Sequence, residues 1–165
     1  MDSIDFKNTG LKYDWKTIYT GVNKKYFEPN VVSDYAVELM EAGDDEAFVN
    51  ELALGIDSSD LDKILFEIKG FHFPNLEENS EELQNENRKL RFVYLSKLKE
   101  KITDEDELLN RIAEFYDRHD YPEDMTSFIT YMPQDTPTTK EDLLNRFYKF
   151  LDSEKNLLDS YFARF

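Results

Sequence analysis

The side chains that could carry chemistry in this 165-residue chain are 36 aspartates and glutamates and two histidines, with no cysteine. The absence of cysteine excludes disulfides, thiolate nucleophiles and cysteine-based zinc sites, and it suits a reducing compartment. His72 and His119 are far apart in sequence, and neither has a second histidine at the i, i+4 spacing of a helical metal pair. His72 sits between Phe71 and Phe73 and reads as a packed ring. His119, in Asp117-Arg118-His119-Asp120, reads as a surface residue among carboxylates that favour its charged form. Asp57-Ser58-Ser59-Asp60-Leu61-Asp62 has the oxygen density of a calcium loop, but lacks the sharp-turn glycine and the distal glutamate that an EF-hand needs. There is no glycine-rich phosphate loop, nucleophile elbow or metalloprotease pair. Carboxylates are so abundant that none is singled out as acid or base. The expectation is a non-enzymatic protein with no cofactor and no metal.

What remains is charge. The 36 acids face 20 lysines and arginines, a formal net charge of -16. That sign repels nucleic-acid backbones and anionic membranes and attracts a cation or a basic protein. The excess is local: residues 28–86 hold 17 acidic residues against Lys63 and Lys69 alone. Asp44-Asp45-Glu46, Asp57 and Asp60, and Glu77-Glu78 with Glu81-Glu82 fall at expected helix starts, where carboxylates complement the macrodipole. Capping explains the clustering. It does not explain why matching lysines are missing from the same helices, since a surface shaped for solubility alone intersperses both signs. The expected contacts with a basic protein partner are Asp44, Asp45, Glu46, Asp57, Asp60, Asp62, Glu77, Glu78, Glu81 and Glu82.

The elements that position these groups are helical. Apolar residues recur at i, i+3, i+4, i+7 in Val32, Tyr35, Ala36, Leu39 and Met40, in Phe48, Val49, Leu52 and Ala53, and in Leu61, Ile64, Leu65 and Ile68. Gly43, Gly55 and Gly70 follow these stretches as C-terminal punctuation. An earlier helix starts after Asp14 and uses Trp15, Ile18, Tyr19 and Val22. A long helix is expected over 78–101, capped near Asn79 or Ser80. Thr103 caps another that carries Leu108 to Tyr116. Pro122 opens a helix burying Met125, Phe128, Ile129 and Met132. Thr138 with Glu141 forms a capping box before Leu143 to Leu151, and a last helix carries Leu157, Leu158, Tyr161, Phe162 and Phe165. No segment alternates with period two. The reading is all-α, a single compact domain over 1–165 with eight or nine helices, arranged as an irregular bundle of helical hairpins, with a solenoid-like stack as the alternative.

Tyr121-Pro122-Glu123-Asp124-Met125, with Phe128 and Tyr131-Met132-Pro133, resembles the signature of a poorly characterised bacterial family of small acidic helical proteins. Trp15, Gly21, Tyr35-Ala36 and Glu51-Leu52-Ala53 are similar to that family's first half. The resemblance carries no enzymatic activity. By analogy with other small acidic bacterial proteins it implies an immunity role beside a secreted toxin.

Two functions follow as expectations. The first is a protein that neutralises a basic toxin, of the nuclease type, by placing carboxylates where phosphates would lie. The second is a helical adaptor or regulatory protein that binds another protein through the aromatic turn around Tyr121 to Pro133. The opening Met1-Asp2-Ser3-Ile4-Asp5 has neither a basic region nor an apolar stretch, and no run is long enough to span a bilayer, so a cytoplasmic location is expected.

Overall fold

The computed structural model describes residues 1–163. The fold is all-α: among these residues every regular element is helical. The chain divides into two compact units, Met1–Arg91 and Phe92–Phe165, with the boundary inside one long helix.

The first unit contains α1 (Ser3–Thr9), α2 (Trp15–Asn23), α3 (Asn30–Glu41), α4 (Ala47–Ala53), a 3-10 turn (Ser58–Asp60), α5 (Leu61–His72) and the start of α6 (Glu81–Lys101). Local side chains start several of these helices. Asp2 and Asp5 form a capping box on α1, an element the apolar spacing did not reveal. The Asp14 carboxylate accepts from the backbone N–H groups of Lys16 and Thr17, as its position before Trp15 predicts. The Ser80 hydroxyl accepts from the Leu83 N–H at 3.3 Å at the start of α6. Gly43 and Gly55 end α3 and α4 in the left-handed region, with φ of 99° and 111°. Gly70 does not terminate its helix. It lies inside α5, which continues to His72 and closes with Phe73 N–H bonding to the Lys69 carbonyl, one residue before Pro74.

α3 packs on α4, and α2 packs on α5 and α3. Phe6, Ile18, Val32, Ala36, Val49, Ile68 and Leu90 are fully enclosed between them. Gly21, which weakens α2 by propensity, is required by the packing: a Cβ there would stand 2.2 Å from Cδ2 of Phe27.

The second unit contains the rest of α6, α7 (Glu105–Arg118), a 3-10 segment (Glu123–Phe128) and α8 (Lys140–Phe162). Three expectations are corrected here. Asp104, not Thr103, caps α7 by accepting from Glu107 N–H at 2.8 Å. Thr139 with Asp142, not Thr138 with Glu141, forms the capping box of α8. The two terminal helices are one, because no glycine or proline interrupts 152–156 and Glu154 is buried along the helix. Phe165 lies outside the described residues.

The segment after Pro122 also departs from its expected α-helix. It is a 3-10 turn that ends with Ile129 extended. Its carbonyls are satisfied from elsewhere: the Gln134 amide donates to Thr126 O and Met132 O at 3.1 Å, and Arg146 of α8 donates to Ser127 O at 3.0 Å. Side chains from later in the chain replace the i→i−4 ladder that a helix would have supplied. Met125, Phe128 and Ile129 are buried against α8, while Met132 is half-buried.

Candidate functional site

The acids of residues 28–86 belong to the first unit, and the structure sorts them into groups. Only two of the ten expected contacts pair with a lysine among the described residues. Glu78 meets Lys69 at 3.5 Å, and Glu82 meets Lys16 at 3.5 Å. Asp57 and Asp44 instead bond locally to the backbone N–H of Ser59 and Glu46.

The first group gathers around an aromatic cluster at the start of α2 and the end of α5. Trp15 stacks on His72 with centroids 5.2 Å apart and planes at 16°. Its other neighbour, Tyr35 of α3, meets it edge-on at 4.7 Å, and Phe48 of α4 lies 4.7 Å from Phe71. The charges of Glu46, Asp44 and Asp14 act on His72, although burial is the larger influence and lowers its pKa below the ordinary value. Burial first, then Asp14, raises the Tyr35 phenol far above its ordinary value. Asp14, Trp15, Tyr35, His72 and Glu82 line a groove of about 370 Å³. Of the expected contacts, Asp44, Glu46 and Glu82 are thus brought to one neighbourhood. Asp14 joins them, and so do the rings of Trp15 and Tyr35, none of which was in the expected set.

The second group lies along α5. Asp62 and Glu78 line a groove of about 400 Å³ together with Tyr19, Phe66 and Lys69. The Tyr19 hydroxyl donates to Glu78 at 2.5 Å, and burial together with that carboxylate holds the phenol well above its ordinary range. Asp57 and Asp60 sit at the opposite end of α5 from His72, about 17 Å away along a helix of that length. Asp45, Glu77 and Glu81 are exposed and line neither groove. The ten residues are therefore not one patch.

Exposed apolar groups mark the same unit. Leu54, Phe66 and Phe71 are 89%, 78% and 67% exposed. In the second unit, Tyr121 and Tyr131 are 59% and 54% exposed and flank buried Tyr116 at centroid distances of 5.4 and 6.2 Å. The Tyr131 hydroxyl donates to the Asp117 carboxylate, which raises the phenol to about 12. Asp120 and Tyr121 both have positive φ, 61° and 54°, a strained pair of non-glycine residues at this turn.

Among the described residues, no group of three or more histidines and carboxylates is placed to hold a metal ion, and no helix is long and apolar enough to cross a membrane.

Residues 4–155 match the model of a family described as "Uncharacterized protein conserved in bacteria (DUF2247)". The chain belongs to this family. No curated protein and no solved structure matches it. Membership in DUF2247 spans both units, so the acidic first unit and the tyrosine turn of the second belong to one family domain pattern rather than to an appended segment.

Proposed function

We propose that this protein binds and neutralises a basic protein, as an immunity-type partner of a nuclease toxin in the bacterial cytoplasm, without enzymatic activity of its own. The observation that carries this reading is the joint placement, in the first unit, of carboxylates without a paired lysine among the described residues, Asp62 on α5 and Asp44 and Glu46 near its His72 end, with exposed Phe66 and Phe71 on the same helix. Charge of this kind governs the association rate and its salt dependence, while large apolar anchors supply most of the affinity. Nuclease toxins must hold a polyanion and are accordingly basic, which makes them suited to such a surface.

The test is co-purification from the native host with elution by salt, followed by an assay of the eluted protein for nuclease activity. A basic protein should elute at rising ionic strength, and its activity should fall when the chain is added back. Replacing Asp44 and Glu46, or Asp62 and Glu78, with lysines should slow binding at low salt by about tenfold or more. Binding indifferent to both reversals would sink the proposal.

A second reading rests on the strained turn of the second unit. Tyr121 and Tyr131 present exposed rings there and suit an adaptor that docks on a protein through aromatic contacts. Capture that is lost in Tyr121→Ala with Tyr131→Ala, but survives charge reversal in the first unit, would favour it.

A further inference from the structure

We propose that the groove between the start of α2 and the end of α5 receives the guanidinium group of an arginine side chain presented by the basic partner; the inference rests on the binding role proposed above and names the chemistry of one contact.

Three independent features converge there. The first is negative charge without sufficient compensation. Asp14 and Glu82 line the groove, Asp44 and Glu46 act on its His72 wall, and the cation among them, Lys16, reaches Asp14 at 3.8 Å and Glu82 at 3.5 Å. Those loose pairs show that the groove already draws a cation from its own chain. The second is Tyr35. Its side chain is nine-tenths buried, at 9% exposure, it lines the groove, and its hydroxyl has no hydrogen-bond partner among the described residues. That hydroxyl can accept from a ligand donor, and the groove residue with a buried polar atom lacking a hydrogen-bond partner among the described residues is His72, through Nε2, a cost that a ligand donor at this wall would relieve. The third is the aromatic floor formed by Trp15 stacked on His72. Burial lowers the His72 pKa, so the imidazole is neutral near pH 7 and does not repel a cation.

These features select guanidinium over ammonium. The guanidinium is planar and weakly hydrated, so it enters a ring-lined groove at smaller desolvation cost than a compact ammonium. Its forked N–H donors reach more than one acceptor at once, here the Asp14 and Glu82 carboxylates and the Tyr35 hydroxyl. A guanidinium from the partner competes with Lys16 for the two carboxylates. Lys16 is thus a built-in competitor, and removing it should tighten binding.

Trp15 is the only tryptophan in the chain, so its fluorescence reports on the groove directly. The probes are N-acetyl-arginine amide, its citrulline counterpart and a short arginine-containing basic peptide, titrated into the full-length protein. The arginine amide and the peptide should change the Trp15 emission saturably, and the uncharged citrulline compound should not. The peptide should bind at least about tenfold more tightly than the amide, since further contacts add to the one side chain. Tyr35→Phe should weaken the arginine probes about fivefold, and Lys16→Met should strengthen them severalfold. Asp14→Asn removes charge while keeping an oxygen that can cap α2, so a weaker response in this variant does not come from unfolding.

A citrulline response equal to that of arginine, no saturable response to any guanidinium probe, or weaker binding in Lys16→Met would each overturn the inference. Equal affinity for amide and peptide would overturn the protein-borne source and leave a small guanidinium compound as ligand. The two proposals fail separately. Salt-dependent capture of a basic protein that is unchanged in Tyr35→Phe and Asp14→Asn removes the groove contact and spares the binding role. Saturable arginine binding without any such capture does the reverse.

Discussion

The two units are both acidic, yet they treat their cations differently. Met1–Arg91 has 20 acidic residues against 10 lysines and arginines, and Phe92–Phe165 has 16 against 10. Part of the deficit of residues 28–86 is made up inside the first unit, by Lys16 on Glu82 and by Lys89, which meets Glu86 at 2.7 Å in a buried pair. In the second unit some cations tie neighbouring elements together and others pair within one helix. Lys140 at the start of α8 meets Glu105 and Asp106 at the start of α7, Lys155 pairs with Asp159 at 2.6 Å, and Arg146 bonds to the loop before α8. Exposed acids without a lysine or arginine in pairing distance among the described residues occur in both units. In the first unit Asp45, Asp60, Asp62, Glu77 and Glu81 face solvent in this way, and in the second Glu100, Glu107, Asp120, Glu123, Asp135, Glu141 and Asp152 do; what sets the first apart is the local excess, with 17 acids over residues 28–86 against Lys63 and Lys69. A binding role belongs with that excess, because a partner's cations meet few competing bases there, and at Asp14 and Glu82 they compete with Lys16 alone among the described residues.

The largest effect should come where the first unit does pair its charge. Glu86 and Lys89 are both almost fully enclosed, and the Thr17 hydroxyl donates to Glu86 at 2.7 Å. Burial pushes the Glu86 carboxyl up, with Lys89 acting against it. Glu86→Leu leaves a buried ammonium without this partner and should cost about 3–5 kcal/mol of unfolding free energy in a urea titration. Glu86→Leu combined with Lys89→Leu should recover most of that loss. If the double variant is no better than the single one, the pair is not a self-contained unit and the contrast with the exposed acids weakens.

The counterpart in the second unit is Arg146, whose guanidinium donates to Ser127 O at 3.0 Å, to Gln134 Oε1 at 3.1 Å and to Thr138 Oγ1 at 3.5 Å. Arg146→Met keeps the aliphatic stem and removes these bonds, at a cost of about 2 kcal/mol. Hydrogen exchange should quicken over 123–134 and remain unchanged over 30–72. Equal quickening in both segments would show that Arg146 does not act locally, and would blur the distinction between structural and free charge.

How much of this was legible depended on how far apart the interacting residues are. Asp14 before Trp15 announces a helix start because the cap and the N–H groups it satisfies are within three residues. Thr139 could be misplaced by one because Thr138 offers the same hydroxyl. The 3-10 turn at Glu123–Phe128 was not legible, since it depends on Gln134 and Arg146, the latter some twenty residues later. Gly70 misled for a different reason: a Cβ there would meet nothing within 4 Å, so the glycine answers no steric demand of the helix. The acids could be named as a class, but not grouped. Asp57 and Glu46 are close in sequence and belong to different ends of α5, whereas Trp15, Tyr35 and His72 come from three helices and meet. The one available signal was Phe71-His72-Phe73, three consecutive rings of which only Phe73 is fully buried.

His72 provides the smallest and most specific test of that grouping. Its pKa is lowered in the folded protein, first by burial, while Glu46, Asp44 and Asp14 pull in the other direction. The unfolded chain therefore binds the proton more readily than the native one below the ordinary histidine value of about 6.5. Stability should be intact above that pH and should decline as pH falls through it toward the folded value. His72→Phe preserves a ring against Trp15 and removes the titration, so urea midpoints taken from pH 7.5 down to 5 should fall more steeply in the parent than in the variant. Carboxylates elsewhere titrate in both proteins and cancel in the comparison. A shallower fall in the parent would mean that the surrounding acids outweigh burial, which would make the imidazole a cation near pH 6 and a repulsive wall for any arginine entering the groove.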